Sequence, residues 1–266
     1  MRQRLLALTG LLFAAPLLAQ SESRAERFMR NCDDYSGRRE RFCEVRDATI
    51  RPPASTLGID GRDNGGVTVR GWDRNEVMVR AMIQTYADTR GEAESLAKDV
   101  RVLTDGDRIR ADGPPSRRYT SWAVSYEVWV PRKTSLDAEA HNGGISVDGV
   151  EGRISLHTVN GGISLQEVHG DIRAQTTNGG VSARLAGDTW NGRGLELRTT
   201  NGSVNLEIPR AYNAELETGT VNGGMNIDFP ITVQGFIGRR ITTTLGKGGP
   251  RIRATTTNGG VRIRQR

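Results

Sequence analysis

Three histidines (His141, His157 and His169) and four carboxylates (Asp148, Glu151, Glu167 and Asp171) are the side chains of this 266-residue sequence whose type and spacing could do chemistry. A metal centre needs ligands that converge. The histidines fall in different columns of the repeat described below, so they read as solvated surface positions and no metal is expected. The carboxylates border one turn on neighbouring repeats. Outward acids so placed can serve as acid and base in a glycan hydrolase or lyase, and acids on exposed turns are also ordinary solvated residues. The column Ser146, Ser164 and Ser182 has no paired base, and no nucleophile elbow, H-E-x-x-H helix or EF-hand spacing occurs. Gly246-Lys247-Gly248-Gly249-Pro250 lacks the spacing and the following helix of a phosphate loop and reads as a turn. No catalytic, cofactor-binding or metal-binding residue is expected, and the chain reads as a non-enzyme.

Cys32 and Cys43 are the only cysteines. Their spacing is too long for a C-x-x-C redox motif, and no third cysteine or nearby histidine completes a zinc site. In an oxidising compartment they are expected to form a disulfide, a staple worth ~2–4 kcal/mol. The basic end is the second notable set. Arg239 to Arg266 holds eight basic residues and no acid. Within it Arg251, Arg253, Arg262 and Arg264 form a possible anion-binding face, while Arg262, Arg264 and Arg266 would equally protect a terminal strand edge from polymerising. No aromatic residue beyond Phe236 is available there to stack bases, so nucleic acid is not an expected partner.

The elements that carry these residues start after an export segment. Arg2 and Arg4 precede an apolar run from Leu5 to Leu18, with cleavage expected after Ala19. Retention as an uncleaved anchor is the alternative. Cleavage would lower the formal charge from +6 by the two arginines, to +4. No second long apolar run follows, and no transmembrane span is expected after cleavage. Aromatic content of 5% with 33 glycines favours many short strands and turns over a compact aromatic core. Residues 1–19 thus read as a signal peptide and 20–56 as a disulfide-stapled lead-in, irregular or briefly helical, ending in a linker at Pro52-Pro53. Residues 57–131 read as a small N-terminal β module acting as a cap, and 132–266 as the repeat region. Alternation predicts strands at Val67 and Val69, from Val77 to Ile83, and from Trp122 to Val130. Thr89 and Glu92 form a capping-box pattern that predicts one short helix over about 90–100.

Internal repetition is the strongest feature. Asn142-Gly143-Gly144, Asn160-Gly161-Gly162 and Asn178-Gly179-Gly180 recur every 18 residues, followed by Asn201-Gly202-Ser203, Asn222-Gly223-Gly224 and Asn258-Gly259-Gly260. Asn64-Gly65-Gly66 is an isolated copy in the N-terminal module. The interval of 36 residues before Asn258 reads as two periods with one motif missing. Three residues after each asparagine stand Ile145, Ile163, Val181, Val204, Met225 and Val261, and five after it Val147, Leu165, Ala183, Leu206, Ile227 and Ile263. A second apolar alternation precedes each turn. Each unit holds two strands and two turns and cannot bury its apolar face alone. Stacking units ~4.8 Å apart aligns the columns into one interior. The predicted fold is all-β, a parallel β-helix-like solenoid of about 18-residue two-strand rungs, with a meander of hairpins as the alternative. Asparagine and glycine suit tight corners, and stacked amides can bond from rung to rung. The register places Arg153 beside Asp171 and Glu151 beside His169. The threonine column Thr158, Thr176, Thr199, Thr220 and Thr256 could offer a hydroxyl array to a glycan or to ice, or reflect β-propensity alone.

The T-x-N-G-G-I/V turns, as in Thr158 to Ile163, the run Asp228-Phe229-Pro230-Ile231-Thr232-Val233-Gln234-Gly235, and the closing Asn258 to Val261 resemble the "putative adhesin" family of bacterial β-strand-repeat proteins, a domain of unknown function. The resemblance spans about Gly58 to Arg266. It implies a solenoid-like all-β fold and an adhesive or envelope role, and it brings no catalytic residues. The expected function is an exported scaffold or binding surface, periplasmic or at the cell surface, that contacts an envelope component (protein, glycan or anionic surface). The alternative is a glycan-acting enzyme on the same fold.

Overall fold

The computed structural model describes residues 23–231 and 238–266. The export segment and Thr232 to Gly235 lie outside the described residues. Helix α1 (Arg24–Asp33) is opened by a capping box between Ser23 and Glu26 and is stapled to strand β1 (Glu40–Ile50) by the Cys32–Cys43 disulfide. The lead-in is therefore more regular than its balanced charge suggests. Phe42 to Ile50 pair residue for residue with a later antiparallel strand, and this tertiary partner overrides weak local propensity.

Strands β2 (Thr56–Asp60), β3 (Val67–Trp72) and β4 (Val77–Ala87) come next, then helix α2 (Arg90–Asp99), β5 (Arg101–Leu103), β6 (Arg108–Asp112) and β7 (Ser121–Pro131). The Thr89–Glu92 capping box is formed, and α2 buries Ala93 and Ala97, the small residues of its expected apolar face. The repeats supply β8 (Ser135–Ala140), β9 (Ile145–Asp148), β10 (Glu151–Asn160), β11 (Ile163–Gln166), β12 (His169–Asn178), β13 (Val181–Arg184), β14 (Gly194–Asn201) and β15 (Val204–Ile208). The chain continues through β16 (Ala214–Asn222), β17 (Met225–Ile227), β18 (Arg240–Leu245), β19 (Arg251–Asn258) and β20 (Val261–Gln265).

Two mixed ten-stranded sheets result. Sheet I runs β1-β4-β7-β3-β9-β11-β13-β15-β20-β17 and sheet II runs β18-β16-β19-β14-β12-β10-β8-β2-β6-β5. Pairing is parallel through the repeats and antiparallel at the flanks, where β1-β4-β7, β5-β6 and β16-β18 meet. Each Asn-Gly corner carries the chain from a strand of sheet II to one of sheet I. Ile145, Ile163 and Val181 face each other across β9, β11 and β13 and are no more than 2% exposed. Burying such a side chain stabilises by ~1.5–3 kcal/mol. The same core extends from Leu57 to Ile263 and holds both sheets together.

Two expectations about the last repeats are corrected. β19 and β20 insert between the strands of the 194–208 repeat and those of the 214–227 repeat. Arg262, Arg264 and Arg266 therefore do not guard an edge. No repeat is missing between Asn222 and Asn258, because part of the interval forms β18, which pairs antiparallel to β16. The copy at Asn64 is not isolated in space: β2 and β3 pair with β8 and β9 and join the stack as a further unit.

Candidate functional site

The corner residues gather into one ladder. Asn142 donates from Nδ2 to Asn64 Oδ1 at 3.1 Å, and Asn160 to Asn142, Asn178 to Asn160, Asn201 to Asn178, Asn258 to Asn201 and Asn222 to Asn258 follow at 2.8 Å each. The glycine after each asparagine is required by close approach. A Cβ at Gly161 would lie 2.2 Å from the carbonyl oxygen of Gly143, and Gly143, Gly179, Gly202, Gly223 and Gly259 are hemmed in the same way by the neighbouring corner. The following position is roomier. At Gly144, Gly162, Gly180 and Gly260 the nearest atom is 3.3–3.5 Å away, none lies within 4 Å at Gly224, and Ser203 stands there naturally. The threonine column is buried and offers no hydroxyl array to solvent. Thr158, Thr176, Thr199, Thr220 and Thr256 each donate at 2.8 Å to a glycine carbonyl of the adjacent corner. Its even spacing from Ile154 and Leu156 was the signal that these side chains point inward.

The four arginines of the possible anion-binding face separate. Arg262 and Arg264 alternate with buried Val261 and Ile263 on the outside of sheet I, whereas Arg251 and Arg253 alternate with buried Ile252 and Ala254 on the outside of sheet II. They flank one corner and so occupy two faces. Arg251 and Arg253 gain other company. With Arg153, Arg173 and Arg193 they line a groove of about 470 Å³ on the outer face of sheet II, where the only acids among the lining residues are Asp171 and Glu196. Gly194 stands between Asp171 and Arg251 in register and puts no side chain on the floor; a Cβ there would meet the Arg251 carbonyl oxygen at 2.7 Å. Arg173 pairs with Glu196 at 3.1 Å and Arg253 with Glu217 at 3.0 Å. Arg153, Arg193 and Arg251 are exposed and form no ion pair among the described residues. Arg153, Arg173 and Arg193 were missed from sequence because only the pairing of β10, β12, β14 and β19 brings them to Arg251.

Arg153 is opposite Asp171 and Glu151 opposite His169, as the register predicts, yet neither pair closes into an ion pair. His141 and His157 are exposed, whereas His169 is half-buried beside the Trp190 ring at 5.9 Å, and its Nδ1 is shielded from solvent with no hydrogen-bond partner. Trp190 donates instead to the Gly170 carbonyl at 2.9 Å. Asp148 lies on sheet I and Asp171 on sheet II. The two acids thus belong to different outer faces. Among the described residues no group of three or more His, Cys, Asp or Glu side chains is placed to hold a metal ion. None of the described helices is long and apolar enough to cross a membrane.

Residues 123–264 match the family model described as Toastrack DUF4097. No curated protein matches the chain. Among solved structures, a "putative cell adhesion protein" from Clostridium sporogenes is similar at 12% identity and a TM-score of 0.45, covering 85% of this chain and 100% of that one. A "putative adhesin" from Bacteroides fragilis follows at 12% identity and TM-score 0.34, covering 85% and 97%. One from Parabacteroides merdae stands at 10% and 0.35, covering 84% and 96%.

Proposed function

The chain belongs to the Toastrack DUF4097 family, and from that premise we propose that it is an exported, non-catalytic binding scaffold of the bacterial envelope, a β-solenoid of about 18-residue rungs whose sheet II groove takes an anionic envelope component. The observation that carries this reading is the set of three exposed arginines, Arg153, Arg193 and Arg251, around the gap at Gly194 with no acid paired to them. Unpaired guanidiniums in a shallow concavity attract phosphate or carboxylate groups and hold them by bidentate hydrogen bonds. The Cys32–Cys43 disulfide supports an oxidising compartment, because such bonds rarely persist in a reducing cytosol. The expected cleavage after Ala19 agrees with export.

Cosedimentation with phosphatidylglycerol vesicles against neutral phosphatidylcholine vesicles, and with an acidic polysaccharide such as alginate, tests the groove. Binding to at least one of the two anionic probes is expected to weaken as salt rises from 50 to 200 mM, as for any exposed charge contact. A variant with Arg153→Glu and Arg251→Glu should lose it. Undiminished binding by that variant, or no preference for either anionic probe over neutral vesicles, removes the groove from the account.

A further inference from the structure

The asparagine ladder ends at Asn64, and what lies beyond it differs from every other corner. β6 continues sheet II beside β2 and β7 continues sheet I beside β3, so one more unit exists above Asn64. That unit has no Asn-Gly corner: the chain leaving Asp112 detours through residues 113–120 before it enters β7. A cleft of about 310 Å³ occupies the place where the next corner would stack. Such a volume lies at the lower end of small-ligand sites, about 300–1,000 Å³.

Its lining mixes donors, acceptors and an apolar wall. Asn64 uses Oδ1 to accept from Asn142, while its Nδ2 has no acceptor among the described residues. That Nδ2 is the donor end of seven amides bonded head to tail, and bonds in such a chain polarise one another, which strengthens the terminal donor. Tyr126 is fully buried, yet it borders the cleft and its hydroxyl has no hydrogen-bond partner. A buried hydroxyl left unpaired is costly, so a native fold that keeps one is expected to give it a partner. The carboxylates of Asp60 and Asp63 also line the cleft. The opposite wall is Pro114 and the Trp122 ring, pinned by a 2.7 Å hydrogen bond from the indole nitrogen to the Pro114 carbonyl. Arg62 is already engaged with the Ala111 carbonyl at 2.9 Å and with Asp112 at 3.8 Å, and its guanidinium stands 5.5 Å from the centre of the Trp122 ring. Asp60 accepts from the Arg62 amide at 2.8 Å and pairs with Arg108 at 3.6 Å, so Asp63 is the lining acid whose carboxylate has no partner among the described residues.

We propose that this cleft binds one ring of a neutral sugar, with hydroxyl oxygens accepting from Asn64 Nδ2 and the Tyr126 hydroxyl, a hydroxyl hydrogen donated to Asp63, and the C–H face against Trp122. The uncompensated Asp63 carboxylate disfavours a negatively charged sugar, so the site is separate in chemistry from the arginine groove and does not rest on it.

NMR titration of the isotopically labelled protein reads the site through the Trp122 indole and Asn64 side-chain amide signals. The probes are the methyl glycosides of glucose, galactose and mannose, N-acetylglucosamine, and glucuronate. At least one neutral sugar should shift both signals saturably, and glucuronate should bind at least ~10-fold more weakly, the effect of about 1.4 kcal/mol of charge repulsion. Tyr126→Phe should weaken the neutral sugar about 5-fold, the loss of one neutral hydrogen bond, without lowering the melting midpoint, since the hydroxyl makes no bond within the fold. A merely structural tyrosine would show the reverse pattern. Asp63→Asn, at an exposed position, should narrow the gap between neutral sugar and glucuronate. Failure of every neutral sugar at tens of millimolar, glucuronate binding as well as the best neutral sugar, or unchanged affinity in Tyr126→Phe would each overturn the assignment.

Discussion

Replacing Gly161 by alanine tests whether stacking distance, and not turn conformation alone, demands glycine at the corners. The added Cβ would sit 2.2 Å from the Gly143 carbonyl oxygen, a backbone atom that no rotamer change can move. Carbon and oxygen need at least ~3 Å, so the two corners must part by roughly 0.8 Å. Three hydrogen bonds span that gap: Asn160 Nδ2 to Asn142 Oδ1 at 2.8 Å, Thr158 Oγ1 to the Gly143 carbonyl at 2.8 Å, and the Asn160 amide to the His141 carbonyl at 2.6 Å. Stretched by that amount, two of them reach about 3.6 Å and the third about 3.4 Å, at or beyond the useful range. At ~1 kcal/mol each the expected loss is ~3 kcal/mol. For a domain of this size that lowers the melting midpoint by ~6–12 °C. Gly162→Ala is the internal control, because its nearest neighbour, the Gly180 carbonyl, is 3.4 Å away. Thermal and urea unfolding of both variants would decide the matter. If Gly161→Ala melts within ~1 kcal/mol of the parent, or no lower than Gly162→Ala, the close-approach account is wrong.

Reduction of the Cys32–Cys43 bridge, whose two positions are 11 apart in sequence, should cost ~3 kcal/mol by freeing the unfolded chain. Urea midpoints with and without reductant, read beside a Cys32→Ser/Cys43→Ser variant, test this. Arg80 hydrogen-bonds both oxygens of Asp47 at 2.9 and 2.8 Å and holds that carboxyl below its ordinary value of 3.8. A depressed carboxyl adds stability at pH above its ordinary value and loses it as pH falls through the folded one. Asp47→Asn should therefore flatten the decline of stability below about pH 4 and leave the slope above pH 5 unchanged. An unaltered acid limb would show that the pair adds nothing.

The columns that faced one another in sequence face one another in space, because a repeat of fixed length carries both the alternation of a strand and the register between strands. Ile163 meets Ile145 and Val181 for that reason. Stacking order is a different kind of information. Asn222 and Asn258 have equal claims to follow Asn201, and the choice is made by what each strand can bury, which spacing does not encode. The grooves were illegible for the same cause. Arg153, Arg193 and Arg251 come together through strand neighbours far apart in the chain, and the cleft above Asn64 exists only because a stack meets a corner that breaks its rule. α1 and β1 hid behind seven arginines and seven acids, because the strand's backbone partner, β4, lies about 30 to 50 residues away in the chain. Threonine parity, by contrast, is readable: the column keeps an even spacing from Ile154 and Leu156, and β-propensity alone accounts for its residue type.

The late insertion of β19 and β20 bears on how this chain can reach its native form. A ribosome or an export channel delivers Ala214 to Ile227 before Arg251 to Gln265, so the earlier segment emerges with no finished surface to settle on. It must wait, or pair provisionally with β14 and β15 and then be displaced. Residues up to about 208 can therefore stack in the order of their delivery, whereas β16 and β17 meet their final neighbours only once β19 and β20 have arrived.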